Sequence, residues 1–120
     1  MSHTAQTARL APETLAAIQA ALRDRGWAGW LLFDFRGANR VAGRLLGLRQ
    51  PLSRRYAVLL PADGPPVALA HAIELGPWRA WPGPVRTYRS WEEWERGLRD
   101  LLPAPGPVAI EYAPRGRLPT

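Results

Sequence analysis

Asp34 is where chemistry would be sought first, because it interrupts the apolar run Trp30-Leu31-Leu32-Phe33-Asp34-Phe35 just before the polar sequel Arg36-Gly37-Ala38-Asn39-Arg40. Joined by a second acid from another strand, with Glu111 as the candidate, it would make the carboxylate pair that nuclease-like hydrolysis uses. Arg36 and Arg40 offer a structural alternative, since an arginine partner is what a carboxylate at a partly buried strand terminus requires. Too few further acids can be placed nearby to favour the pair. His71 precedes Glu74 by three residues, which is not the two-histidine helical spacing of a zinc protease, and the second histidine, His3, falls in a polar start. His71 is therefore expected at a strand end, bonded locally or facing a partner. Gly37, Gly43 and Gly47 form no phosphate loop, since no Gly-Lys-Ser/Thr ending exists. Ser53 and Ser90 have no histidine in any arguable arrangement. No catalytic residue and no metal ligand is expected within this chain.

Composition narrows the classes further. All 16 basic residues are arginine, and the net charge is +6. A nucleic-acid binder gathers its basic groups on one face, whereas these run from Arg9 to Arg117, closest together at Arg36, Arg40, Arg44 and Arg49, then Arg54 with Arg55, then Arg86 with Arg89. An arginine-rich chain without lysine fits codon bias better than selection for phosphate contacts, so nucleic acid is the second reading. The absence of cysteine removes disulfides, thiolate nucleophiles and cysteine-held metals. It suits a cytoplasmic location. No apolar run approaches the roughly 20 residues that cross a bilayer, and no membrane role is expected.

These residues must be positioned by a small α/β domain. Trp30–Phe35 is apolar on consecutive positions, which fits a central strand covered on both faces. Pro12 suits a first helical turn, with Leu15, Ile18 and Leu22 on one face and Gly26 as the stop. Asn39 can cap a second helix whose Val41, Leu45 and Leu48 share a face. Residues 54–60 and 67–73 read as antiparallel strands around the turn Pro61-Ala62-Asp63-Gly64-Pro65. Residues 74–81 read as an irregular helical turn, and 85–89 as a short strand. Ser90 and Glu93 form a capping box before a helix with Trp91, Trp94, Leu98 and Leu101 as its buried stripe. Residues 108–112 supply a last strand. The expected fold class is thus α/β, a mixed central sheet of about five strands with helices on both faces. It occupies residues 11–113, between a frayed tail over 1–10 and the start of a linker over 114–120. Trp78 and Trp81, set among Gly76, Pro77, Pro82 and Pro84, are expected as exposed interface anchors.

In that order, the segments resemble the N-terminal domain of the creatinase/prolidase family, the lobe that precedes the metallopeptidase domain of Xaa-Pro dipeptidases and aminopeptidases. The residues that carry the likeness are Gly29 to Asn39, Arg54-Arg55-Tyr56, Val67 to Glu74, Tyr88 to Glu93 and Val108 to Tyr112. The resemblance implies a non-catalytic lobe serving subunit association and capping of an active site. Peptide hydrolysis and two divalent ions (manganese, cobalt or zinc) would belong to a catalytic domain beyond this chain. The partners it implies are that domain and a second subunit in a homodimer. It places Asp34, Arg36, Asn39 and His71 in a substrate-proximal region.

Overall fold

The computed structural model describes residues 6–102 and 106–111, the last of these by its backbone alone. Helix α1 (Pro12–Arg25) begins with proline in its first turn and ends on left-handed Gly26, whose N–H closes onto Arg23 and Leu22. Strand β1 (Gly29–Asp34) follows, then α2 (Arg40–Leu46), β2 (Tyr56–Pro61) and β3 (Val67–His71). After a single 3-10 turn (Gly76–Trp78) come β4 (Val85–Tyr88), α3 (Trp91–Leu101) and β5 (Val108–Glu111). The strands form one sheet in the order β4-β3-β2-β1-β5. β2 is antiparallel to both β1 and β3, as a short turn between β2 and β3 demands. β1 runs parallel to β5, and β3 to β4. The sheet is mixed, as the hairpin requires.

Both faces are covered. Leu32, Tyr56, Val58 and Leu60 pack with Ala42 and Leu46 of α2 and with Leu15 and Ile18 of α1. Leu31, Leu59, Leu69 and Tyr88 pack on the other face with Trp94 and Leu101 of α3. β1 therefore contributes alternate side chains to two separate cores, which explains its unbroken apolar run. At Gly97 a Cβ would stand 2.8 Å from both terminal methyls of Leu69, so a larger residue there would have to push the Leu69 side chain aside where α3 meets the sheet.

Several expectations are corrected. Trp78 and Trp81 are 3% and 8% exposed, so they are not surface anchors. Tyr56 meets Trp78 edge-on at 5.2 Å, Trp78 meets Trp81 at 5.4 Å, and the Trp81 indole donates to the Pro66 carbonyl at 3.0 Å. The loop is folded inward over the core, both indoles joining the cluster that holds Tyr56. Residues 6–10, expected to fray, are tied down: Ala8 N–H donates to the Pro77 carbonyl at 2.7 Å, Arg9 N–H to Leu46 at 2.9 Å, and Ala8 and Leu10 are buried. Trp91 is 56% exposed rather than part of the buried stripe. Its indole donates to Glu95 at 2.9 Å, leaving Trp94, Leu98 and Leu101 to face the sheet. Val41 points to solvent as well, because the stripe that α2 buries is Ala42 and Leu46. Ser90 caps α3 by accepting from Glu93 N–H at 3.1 Å, but the Glu93 carboxylate accepts from Arg89 N–H at 2.7 Å, one residue earlier than a standard capping box.

Candidate functional site

The end of β1 is a knot of buried polar groups. Asp34 is 4% and Asn39 1% exposed. The Asp34 carboxylate accepts from Gly37 N–H at 2.8 Å through Oδ2 and from Asn39 N–H at 2.6 Å through Oδ1. Asn39 in turn caps α2, its Oδ1 accepting from Ala42 N–H at 3.0 Å, and its Nδ2 donates to the Phe33 carbonyl at 3.0 Å. The charge of Asp34 is thus met by backbone N–H groups. The arginine partnership expected for it does not form: among the described residues the ion pair present joins Arg23 and Asp63 at 3.5 Å, on exposed side chains.

The loop between these two residues is conformationally demanding. Arg36 (φ 59°) and Gly37 (φ 82°) are both left-handed, and a Cβ on Gly37 would lie 2.7 Å from Pro51 Cβ. An arginine in that region costs roughly 1 kcal/mol, which the two charge-assisted bonds to Asp34 offset. Across the sheet from Asp34 stands Tyr56. Burial, reinforced by the Asp34 charge, raises its phenol well above the ordinary value.

His71 ends β3. Its Nδ1 accepts from Ile73 N–H at 3.1 Å, and its ring meets Tyr88 edge-on at 5.0 Å. The Tyr88 hydroxyl donates to the Arg55 carbonyl at 2.7 Å, and burial is the main reason its pKa rises to about 12. The Glu74 carboxylate accepts from Ser53 N–H, Ser53 Oγ and Arg54 N–H at 3.0–3.1 Å. Among the described residues no group of three or more His, Cys, Asp or Glu side chains converges on a point that could hold a metal. Asp34, Glu74 and Ser53 are thus occupied in holding loops, and Ser90 in capping α3. Glu111 is placed by its backbone beside Leu32.

Two cavities open at this edge of the sheet. One, of about 580 Å³, is walled by Asp34, Asn39, Arg36, Arg40, Arg44 and Arg49. The other, of about 460 Å³, is walled by Arg36, Arg54, Arg55, His71, Arg89 and Trp91. The structure therefore brings together Asp34, Arg36, Asn39 and His71 along one edge, with Arg36 common to both cavities; Trp78 and Trp81 are not among these residues. Sequence reasoning missed Phe35, Arg55 and Trp91. Arg55 lies 4.4 Å from the Phe35 ring centre and 5.0 Å from that of Trp91, and Arg36 lies 5.1 Å over Phe35. The signal that could have found this cluster is the stretch between Asp34 and Asp63, which has six arginines and no acid.

A mixed five-stranded sheet with α1 and α2 on one face and α3 on the other, with a capped loop after β1, has the fold of solved prolidase N-terminal domains. The chain is similar to the N-terminal domain of Xaa-Pro dipeptidase from Lactobacillus brevis, with TM-score 0.62 and 23% identity, over 88% of this chain and 79% of that one. It is also similar to recombinant prolidase from Thermococcus sibiricus, with TM-score 0.62 and 16% identity, over 88% of this chain and 28% of that one. At these identities the likeness establishes the fold. No family model matches the sequence, and no curated protein matches it.

Proposed function

We propose that this chain acts as the non-catalytic N-terminal domain of a Xaa-Pro peptidase-like protein, where it serves subunit association and caps the active site. The observation that carries this reading is the fold shared with the Xaa-Pro dipeptidase domain along 88% of the chain. The commitment of Asp34, Asn39, His71 and Glu74 to local hydrogen bonds supports it. Hydrolysis and the two divalent ions it needs would reside in a catalytic domain, and the solved prolidase, of which this chain spans 28%, has room for one. Arg36 and Asn39 would then shape a rigid wall beside the substrate, with His71 facing the same side. A homodimer in the cytoplasm is the form in which the lobe would work.

The test has two arms. The purified 120-residue chain is expected to leave Xaa-Pro dipeptides intact with added manganese, and light scattering is expected to show twice its 13.3 kDa mass. The native protein, captured from its own cells with an antibody to this chain, is expected to hydrolyse the same dipeptides. Hydrolysis by the chain alone overturns the non-catalytic reading, and an inactive native protein overturns the peptidase assignment.

A further inference from the structure

The cavity-lined edge of the sheet concentrates positive charge in a way the peptidase reading does not use. Arg40 and Arg44 lie one helical turn apart on α2, a like-charge spacing that is mildly destabilising by itself. With Arg36 and Arg49 they line the first cavity, whose one acid, Asp34, is buried and already bonded to two backbone N–H groups. Arg36 continues into the second cavity, where Arg54, Arg55 and Arg89 join it and no acid among the described residues lines the wall. Among the described residues none of these arginines forms an ion pair. The fold has therefore gathered on one edge what the sequence spreads over a long stretch.

Beside this track stand exposed rings. Phe35 and Trp91 protrude from β1's end and from the start of α3, held apart by the Arg55 guanidinium stacked on both. Arginine forks match the oxygens of a phosphate group. Aromatic rings beside a basic groove are how single strands are held without sequence preference. We propose that the two cavities form one binding track for single-stranded nucleic acid, with Arg36, Arg40, Arg44 and Arg49 on phosphates and Phe35 and Trp91 against bases. An acidic polypeptide would use the same charge but has no planar base for the rings. The proposal stands apart from the peptidase reading, and its failure leaves that reading intact.

Binding of a fluorescein-labelled oligothymidylate to the whole chain, followed by fluorescence anisotropy, tests it. Each phosphate contact on a single strand contributes about 0.7 to the slope of log affinity against log salt, so the four arginines placed on phosphates predict a slope near −3 and a loss of about fifty-fold between 50 and 200 mM salt. Arg40→Gln with Arg44→Gln is expected to reduce the slope by about 1.4. Arg86→Gln with Arg99→Gln, outside both cavities, is expected to leave it unchanged. Trp91→Ala is expected to weaken binding about tenfold at constant slope, and far-UV circular dichroism confirms that each variant is folded. No binding, equal loss from both arginine pairs, or polyglutamate competing as well as the oligonucleotide would each overturn the proposal, the last by assigning the track to acidic protein.

Discussion

Replacing Asp34 with asparagine removes one charge and little volume, and so isolates the role of the carboxylate at the end of β1. The amide oxygen can still accept one of the two backbone N–H groups now held at 2.8 and 2.6 Å, while its NH₂ confronts the other with a second donor. One charge-assisted bond is lost, about 1.5–3 kcal/mol, and the surviving bond weakens to a neutral one, about 1 kcal/mol less. The competing effect is the extra net positive charge, but an arginine about 10 Å away through water contributes only about 0.4 kcal/mol before screening. The buried bonds therefore dominate, and the loss is expected near 3 kcal/mol. With a urea dependence of about 2 kcal/mol per molar, the midpoint falls by about 1.5 M, read by tryptophan fluorescence and circular dichroism together. Asp63→Asn makes the same charge change at an exposed ion pair and is expected to cost under about 0.5 kcal/mol. If Asp34→Asn moves the midpoint no further than Asp63→Asn, the carboxylate does not hold the loop and is free for chemistry.

Trp78→Ala empties the core beneath the 3-10 turn, where the ring packs edge-on against Tyr56 and Trp81, and should cost about 3–5 kcal/mol in the same urea experiment. An exposed anchor would lose almost nothing. Ser90→Ala deletes the acceptor for Glu93 N–H and should cost about 1 kcal/mol, with Ser90→Asp restoring most of it. In alkali, Tyr88 keeps its proton to about pH 12 when folded but releases it near 10 when unfolded, and Tyr56 is shifted in the same direction. The unfolded state thus binds fewer protons in that window, so stability present below pH 10 should fall as pH rises from 10 to 12, and Tyr88→Phe should flatten the fall measured by urea midpoints.

The architecture was legible wherever one local rule decided the outcome. An unbroken apolar run fits a strand with two covered faces, a short Asp-Gly turn makes its flanking strands antiparallel, and Asn39, Ser90 and Gly26 mark helix ends by hydrogen-bonding or backbone needs that hardly depend on the rest of the fold. What was not legible depended on tertiary placement. Trp78 and Trp81 sit in a loop of prolines and glycines with no periodicity, so nothing nearby in the sequence shows that the loop folds over Tyr56. Trp91 fits the helical spacing of its neighbours, yet it sits in the first turn, where Arg55 and Glu95 are its partners. Segment 6–10 has no pattern either, and its order comes from the Pro77 and Leu46 carbonyls it happens to meet. At the site, Asp34 was found but its partner was misread, because backbone donors brought around by a left-handed loop leave no trace in composition.

That misreading bears on how the edge works. An aspartate neutralised by Arg36 or Arg40 would have drawn those side chains inward and left the cavities less basic. Because Gly37 and Asn39 N–H groups neutralise it instead, each arginine around the loop keeps its head for the surface while the loop itself is held at both ends. The left-handed turn at Arg36 and Gly37 then sets where Arg36 stands, against Phe35 and between two cavities. A buried carboxylate with backbone partners thus leaves Arg36 and Arg40 outside any ion pair among the described residues, and loosening it should disturb the first cavity, which Asp34, Gly37 and Asn39 line.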